Sequence, residues 1–228
     1  MNVCIIPARG GSKRIPKKNI KNFRNKPMIS WSIKSAIKSG IFKKILVSTD
    51  DKEIANISLN EGAEVPFLRP KEISGDYSST QEVIKHSIEW MMTNGIEPNI
   101  VCCLYATSPF TTSNDLNLGL KKIVNSNFLQ YLFTVTSFEY PIQRSFRINK
   151  EGHTEMLFPE NYHKRSQDLE SIFHDAGQFY MAKKDKWLSD EGFFQNGLPL
   201  IIPRWRVQDI DTEEDWIRAE KLHQILNY

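Results

Sequence analysis

Short apolar runs alternate with longer amphipathic segments along the first 125 residues of the chain. Runs such as Val3 to Ile6 and Ile45 to Val47 are typical of strands buried inside a sheet. Between them, apolar residues recur at helical spacing, and the segments stop at glycines such as Gly40, a favourable helix end. This β-α-β-α order predicts an α/β fold with a mostly parallel sheet and helices on both faces. The predicted strands are 2–8, 44–49, 65–68 and 100–105, and the predicted helices are 27–39, 51–61, 79–94 and 113–124.

The pattern changes after about residue 130. Residues 139–163 are polar, with strand-like pieces and a turn at Lys150-Glu151-Gly152, which predicts an extended β arm. The arm also carries exposed-looking apolar groups that need a surface to cover them, so we expect it to mediate a homodimer. The chain is then a single domain, 1–228, with this arm inserted. The remaining predicted elements are strands at 132–138, 173–182 and 200–210 and a closing helix at 212–226.

Three polar residues directly follow predicted strands. Arg9 comes after the first strand, Asp50 after the second and Thr107 shortly after the strand at 100–105. Ligands of parallel α/β sheets bind beyond the carboxyl ends of the strands, so we expect these residues to converge on one cleft.

Positive charge is concentrated at the start of the chain. The first 49 residues contain twelve Lys and Arg and no Asp or Glu, whereas the remainder holds 18 basic and 27 acidic residues, a net charge of −9. The densest part is the loop after the first strand, where Gly10 and Gly11 let the backbone approach an anion. Charge gathered around one glycine turn favours a compact polyphosphate over nucleic acid. The candidate phosphate-binding residues are Arg9, Gly10, Gly11, Ser12, Lys13 and Lys18.

Other function classes lose support from the sequence. The loop matches neither the Walker A string nor G-x-G-x-x-G. No apolar stretch approaches the roughly 18 residues of a membrane span, and the run after Met1 is short for a signal peptide. Cys4, Cys102 and Cys103 lie in apolar runs, which predicts buried thiols and suits a cytoplasmic protein. A polyanion or RNA binder using the basic N-terminal third remains the alternative outside enzymes.

A pair of carboxylates lies near the other end of the chain. Asp209-Ile210-Asp211 closes the predicted strand 200–210, and residues i and i+2 of a strand point to the same side, roughly 7 Å apart. Mg²⁺ is usually held by one or two carboxylates together with substrate phosphates and water. Asp209 and Asp211 are therefore candidate magnesium ligands, with helix capping the alternative role of Asp211.

The segment Ile6-Pro7-Ala8-Arg9-Gly10-Gly11-Ser12-Lys13-Arg14-Ile15-Pro16-Lys17-Lys18-Asn19 resembles the strand-one motif of the acylneuraminate cytidylyltransferases, the CMP-nonulosonate synthetases. Further matching strings follow in family order over essentially the whole chain. They are Phe67-Leu68-Arg69-Pro70, Thr107-Ser108-Pro109, Ala176-Gly177 and Asp209-Ile210-Asp211. The resemblance implies a Rossmann-like, GT-A-like nucleotidyltransferase fold, with CTP and a nine-carbon acidic sugar as substrates and Mg²⁺ as cofactor.

The resemblance also implies a role for each matching residue. Arg9, Lys13, Lys18 and Asp211 would act in catalysis, and Asp209 with Asp211 would hold Mg²⁺. The nucleotide would be bound by the phosphate loop together with Asn19, Arg69, Ser79 and Thr80. The sugar would be bound by Tyr105, Thr107, Arg165, Gln178, Tyr180, Phe193 and Phe194.

One position departs from the common pattern of that family. Sialate and legionaminate synthetases carry a Gln where this chain has Tyr105. The Tyr105-Ala106-Thr107 form, together with the string His174-Asp175-Ala176-Gly177-Gln178-Phe179-Tyr180, is similar to the branch that activates pseudaminic acid. A phenol adds apolar surface and keeps one hydroxyl, which suits a less polar sugar. We therefore expect CMP transfer to pseudaminic acid, with N-acetylneuraminate, legionaminate and ketodeoxyoctonate as the alternative sugars.

Overall fold

The computed structural model describes residues 1–127, 130–189 and 192–226. Its strands are β1 (Asn2–Pro7), β2 (Asn22–Phe23), β3 (Lys26–Pro27), β4 (Lys44–Ser48), β5 (Ile100–Leu104), β6 (Leu132–Ser137), β7 (Phe146–Ile148), β8 (Thr154–Met156), β9 (Phe173–Lys183) and β10 (Leu198–Ile201). Its helices are α1 (Met28–Ser39), α2 (Lys52–Asn60), α3 (Thr80–Thr93), α4 (Ser113–Asn125), α5 (Lys184–Leu188) and α6 (Glu213–Ile225).

The central sheet has six strands in the order β10-β6-β9-β5-β1-β4. Strand β1 pairs in parallel with β4 and β5, and β10 pairs in parallel with β6. Strand β9 runs antiparallel to both of its neighbours, β5 and β6. The mostly parallel sheet expected from the alternating pattern is therefore confirmed.

Strand β1 shows why the sheet is covered on both faces. Its apolar residues alternate, so that Cys4 and Ile6 join one buried cluster while Val3 and Ile5 join another. Helices α1, α2 and α4 contribute to the first cluster, and α3 and α5 contribute to the second. Cys4, Cys102 and Cys103 are free and buried within this core, as predicted.

Helix α6 brings the C-terminal part of the chain to the N-terminal motif. Trp216 and Ala219 of α6 are buried in a third cluster with Ile15 and Phe23. The same cluster includes Ile210, so the segment that carries the candidate carboxylates is anchored next to the N-terminal loop.

Two predicted strands are wrong. Residues 65–68 form no strand, and only isolated bridges link Glu64 to Leu46 and Leu68 to Thr49. The predicted strand 200–210 ends at Ile201 and is followed by a 3₁₀ turn at Arg204–Arg206. Pro203 explains the early end, because a proline supplies no N–H to a sheet ladder.

The predicted arm, 139–163, contains a small antiparallel hairpin of β7 and β8 and two 3₁₀ turns, Ile142–Arg144 and Pro159–Asn161. It stands apart from the pairing of the central sheet. Its apolar side chains reach solvent: Tyr140 is 77% exposed and Phe146 is 58% exposed. In the described residues, no helix is long and apolar enough to cross a membrane.

Candidate active site

A cavity of about 770 Å³ opens at the carboxyl ends of β1 and β5. Arg9 and Thr107 line it, and Asp50 accepts a hydrogen bond of 2.9 Å from the backbone N–H of Gly10. The three residues that follow strand ends thus meet at one edge of the sheet. The cavity is also lined by the other predicted residues Ser12, Lys13, Lys18, Asn19, Arg69, Ser79, Thr80, Tyr105, Tyr180 and Asp209.

The cations of the first loop are held by carboxylates of the chain itself. Asp76 bridges Arg9 and Lys13, with N–O distances of 2.7 Å and 2.5 Å. These hydrogen bonds and charges lower the pKa of the Asp76 carboxyl below its usual value. One carboxylate therefore occupies the position between two cations, which is where an anionic group of a ligand would bind.

Lys18 connects the N-terminal motif to the carboxylate pair. Its Nζ donates to the backbone oxygen of Ile210 at 2.6 Å and to Oδ1 of Asp211 at 3.2 Å. Arg14 contacts the other carboxylate oxygen of Asp211 at 2.8 Å. Positive and negative groups from opposite ends of the sequence are therefore side by side at the cavity.

Asp211 is not the cap of α6. Thr212 is the N-cap, and it forms a capping box with Asp215. Although the segment is not a strand, its side chains still alternate: Ile210 is buried, whereas Asp209 lines the cavity and Asp211 is half-buried. The strand that was expected to point both carboxylates to one side is therefore absent, and Asp211 reaches the cavity wall through its contacts with Arg14 and Lys18.

The two carboxylates fit a divalent cation. Burial and the neighbouring charge of Asp211 raise the pKa of the Asp209 carboxyl above its ordinary value. A cation between them would remove this repulsion. No group of three or more His, Cys, Asp or Glu side chains suited to a metal occurs in the described part of the chain, so further ligands would have to come from substrate and water.

Arg69 forms part of the cavity wall while remaining largely buried. Its Nε donates to Oγ of Ser48 at 3.1 Å, and its Nη2 donates to the backbone oxygen of Ser48. Burial lowers the pKa of Arg69 to about 10, against the opposing charge of Asp50. Two of the five N–H donors of the guanidinium are used by Ser48, which leaves donors for a ligand.

Two tyrosines lie next to each other in another part of the wall. The ring centroids of Tyr105 and Tyr180 are 5.7 Å apart in an edge-to-face arrangement. The Tyr105 hydroxyl and Oγ1 of Thr80 share a hydrogen bond of 2.9 Å, while the Tyr180 hydroxyl donates to Asp175. Burial raises the pKa of Tyr105 to about 12 and also raises the pKa of Tyr180. Both phenols are therefore protonated at neutral pH.

Some predicted site residues lie outside the cavity wall, among them Asp211, which contacts the lining residues Arg14 and Lys18. Gly10 is packed so closely against Asp51 that an added Cβ would lie 2.7 Å from a carboxylate oxygen, whereas a Cβ added at Gly11 would meet no atom within 4 Å. Gln178 is buried and serves the fold, because its amide donates to the backbone oxygen of Arg206 at 2.7 Å and accepts from Thr111 at 3.2 Å.

The remaining three predicted sugar residues are also elsewhere in this chain. Arg165 forms an ion pair with Asp168 next to the arm, at 2.8 Å. Phe193 packs behind the cavity wall, against Tyr180 of the wall and against Tyr131 and Trp187 of the core, and Phe194 is exposed. The placement of these three residues was hard to predict, because they lie far along the chain from the first motif and no local motif surrounds them.

The cavity also includes residues to which sequence reasoning assigned no role. Asp175 belongs to the string His174-Asp175-Ala176-Gly177, which carries part of the family resemblance, so the signal was present. Arg14 lies within the first motif. For Arg218, on α6, no local pattern marks a ligand-facing position.

Comparisons with known proteins agree with the fold. A family model described as cytidylyltransferase matches residues 3–185. The chain therefore belongs to the cytidylyltransferase family.

Individual relatives extend the match to the whole chain. The pseudaminic acid cytidylyltransferase of Campylobacter jejuni subsp. jejuni serotype O:2 is 43% identical over 98% of this chain and 97% of its own length. The CMP-N,N'-diacetyllegionaminic acid synthase of Legionella pneumophila is 28% identical over 98% of this chain and 96% of its own. Among solved structures, a CMP:2-keto-3-deoxy-manno-octonic acid synthetase complexed with CTP has the same fold, with a TM-score of 0.72 at 16% identity over 99% of this chain and 100% of that one.

Proposed function

We propose that this chain transfers CMP from CTP to a nonulosonic acid, with pseudaminic acid as the sugar, and releases pyrophosphate. The observation that carries the proposal is that Arg14 and Lys18, which line the cavity, both form ion pairs with Asp211 just behind the wall, in a member of the cytidylyltransferase family. This arrangement offers cations for a polyphosphate and carboxylates for its metal at one place.

In this proposal the triphosphate binds along the first loop. Arg9, Lys13 and Lys18 neutralise its charge, and Arg14 adds a fourth cation. Asn19 and Arg69 supply donors for the cytosine and the ribose, and Ser79 and Thr80 border the same side. The amide of Asn19 is already oriented, because it donates to the backbone oxygen of Arg9 at 2.9 Å.

Asp209 and Asp211 hold Mg²⁺ in this proposal. When bound, the ion neutralises phosphate charge and polarises a phosphoryl oxygen. The chain itself supplies the two carboxylates and, through Arg14 and Lys18, fixes the orientation of Asp211.

The reaction is an in-line displacement at the α-phosphorus. The C2 hydroxyl oxygen of the sugar forms a new bond to this phosphorus as the bond to the β-phosphate oxygen breaks, and the hydroxyl proton passes to a carboxylate of the Asp209–Asp211 pair. Arg9, Lys13 and Lys18 stabilise the negative charge that develops on the leaving pyrophosphate. Catalysis by these residues is positioning and charge stabilisation, as in other transfers at phosphorus.

Pseudaminic acid is the sugar favoured by two independent features. One is the 43% identity to the C. jejuni relative over nearly the full length of both chains. The other is Tyr105 at the end of β5, where it lines the cavity with Thr107. N-acetylneuraminate, legionaminate and ketodeoxyoctonate are the sugars against which this choice has to be measured.

The experiment is pyrophosphate release with CTP and Mg²⁺ across those four sugars. We expect kcat/KM for pseudaminic acid to exceed that for N-acetylneuraminate by at least about tenfold. Equal turnover of both sugars would overturn the choice of sugar and leave the cytidylyltransferase proposal intact. The binding alternative is tested by thermal shift: a polyanion binder gains stability from heparin as much as from CTP with Mg²⁺, whereas the proposed enzyme responds to CTP with Mg²⁺.

Tyr105→Gln tests the structural basis of the sugar preference. Loss of the ring and of the hydroxyl bonded to Thr80 should lower kcat/KM for pseudaminic acid by about tenfold and leave KM for CTP within about twofold of wild type. Tyr77→Gln, an exposed tyrosine outside the cavity wall, is the matched control. An unchanged ratio of kcat/KM for the two sugars in Tyr105→Gln would remove this residue from sugar selection.

A further inference from the structure

Strand β9 is irregular at the point where it reaches the cavity. Phe133 of β6 pairs with Tyr180, whereas Val135 pairs with Asp175, so four residues of β9 lie opposite the single residue Thr134. The hydroxyl oxygen of Thr134 accepts from the backbone N–H groups of Gln178 and Phe179 at 3.3 and 3.4 Å. Bulges next to active sites redirect side chains, and here the bulge places residues 174–177 on the cavity wall.

The carboxylate of Asp175 is fixed by two uncharged donors. The Tyr180 hydroxyl donates to Oδ2, and the backbone N–H of Gly177 donates to Oδ1 at 3.0 Å. Gly177 has φ +59°, a left-handed conformation that suits glycine and turns its N–H back toward Asp175. The side chain of Asp175 is exposed at the cavity and held in one orientation before any ligand binds.

A carboxylate at this place needs an explanation, because the proposed ligands are a triphosphate and a sugar acid, both anions. A carboxylate accepts about four hydrogen bonds, and the protein supplies two to Asp175. The remaining lone pairs suit a donor on the ligand. Strand β9 is also separated from β1 by one strand, so Asp175 lies on the far side of β5 from the cationic loop. Anionic groups of the ligand are drawn to the loop, and donor groups to Asp175.

We propose that Asp175 is a specificity residue whose carboxylate accepts a hydrogen bond from a hydroxyl or amide N–H substituent of the bound sugar acid. This inference rests on the proposed function. The bound sugar is then oriented with its carboxylate toward the cations of the first loop and a donor-bearing substituent toward β9. Tyr180 holds the carboxylate and borders the same part of the sugar.

The test is a double-mutant cycle read by pyrophosphate release at saturating CTP with varied pseudaminic acid. Asp175→Asn keeps the size of the side chain and removes its charge, so KM for the sugar should rise at least about tenfold, while KM for CTP stays within about twofold. Asp175→Glu, which keeps the charge and moves the oxygens, should also raise KM for the sugar. Asp185→Asn, the same change at an exposed position of α5, is the control and should match wild type.

Combining Asp175→Asn with Tyr180→Phe distinguishes a direct contact between Asp175 and the sugar from an indirect effect through Tyr180. If Asp175 touches the sugar, part of the Asp175→Asn effect persists in the Tyr180→Phe background, because the Gly177 N–H still holds the carboxylate. If the effect disappears there, Asp175 acts only by holding Tyr180 and the inference is overturned; a sugar KM within about twofold of wild type in both Asp175 variants overturns it as well. A wild-type protein that releases no pyrophosphate with any sugar overturns the proposed function and this inference together, whereas an active wild type with indifferent Asp175 variants overturns the inference alone.

Discussion

Single residues at the cavity are arranged as pairs of opposite charge. Asp76 holds Arg9 and Lys13, and Asp211 holds Arg14 and Lys18. A polyphosphate that binds to the first loop has to compete with these carboxylates for the same cations. The pairs are partly exposed, so the competition is modest and sensitive to salt.

Asp76→Asn should therefore tighten binding of inorganic pyrophosphate. The change removes the charge that competes for Arg9 and Lys13, and we expect the Kd from calorimetry to fall about twofold to fivefold at low salt. Glu53→Gln is the matched control, because it releases Lys17, which does not line the cavity. Weaker binding in Asp76→Asn would show that Asp76 holds the two cations in position for the anion and does not compete with it.

Asp211→Asn should leave the fold intact and lower the Mg²⁺-dependent rate by about a hundredfold, equivalent to roughly 3 kcal/mol of transition-state stabilisation. The change removes one carboxylate of the proposed metal pair and the ion pairs to Arg14 and Lys18. Glu214→Gln, in the first turn of α6, serves as control. Activity within a few-fold of wild type in Asp211→Asn would exclude Asp211 from the metal site.

Residues of the cationic loop could be predicted from the sequence because they lie in one short, unusual string. Asp76 could not, because its partners are more than sixty positions away in the chain and nothing local marks it. Gln178 shows the opposite failure: it lies in a motif, yet the structure turns its amide into the protein toward Arg206 and Thr111.

At the scale of elements, α1, α3, α4 and the core strands were predictable because apolar periodicity and glycine stops report burial directly. The stretch after Ile201 was not, because Ile202 and Ile210 are buried although they belong to no strand. Arg206 turns inward to the buried carboxylate of Asp115, and Ile210 packs under α6. Apolar residues that are buried outside the sheet therefore gave the same sequence pattern as a strand.

Helix α6 carries a titratable group into an aromatic cluster. His223 is 1% exposed, and its ring lies 4.3 Å from Trp31 and 5.3 Å from Phe23, between ring centroids. Burial, with the positive charges of Arg24 and Lys26, lowers the pKa of His223 from 6.5 to about 4. The charged form is therefore disfavoured in the folded protein relative to the unfolded chain.

The free energy of unfolding should consequently fall as the pH decreases from 6.5 toward 4, because the unfolded chain takes up the proton first. Over the whole range between the two pKa values, the titration of His223 lowers the free energy of unfolding by about 3 kcal/mol. Urea denaturation of wild type and His223→Phe across this range isolates it, since the variant keeps a ring and loses the titration. Parallel pH profiles for the two proteins would contradict a depressed pKa at His223.

At the scale of the whole molecule, the arm is the part whose purpose the single chain does not explain. Tyr140, Phe146 and Ile148 are 77%, 58% and 74% exposed on a segment outside the central sheet. We expect a second copy to cover them by two-fold symmetry. Sedimentation at micromolar concentration should give about twice 26.5 kDa, and Phe146→Glu should shift the protein toward monomer. A stable wild-type monomer would contradict the predicted dimer.

The central claim is that the cavity joins CTP to a nonulosonic acid, and the most direct measurement is the product balance. Purified protein is incubated with CTP, pseudaminic acid and Mg²⁺, and the products are quantified by ³¹P NMR and mass spectrometry. The account predicts one equivalent of pyrophosphate and one of CMP-pseudaminic acid for each CTP consumed, with no consumption when the sugar is omitted. Pyrophosphate release that is independent of sugar, or no CMP-sugar with any nonulosonic acid, would contradict it.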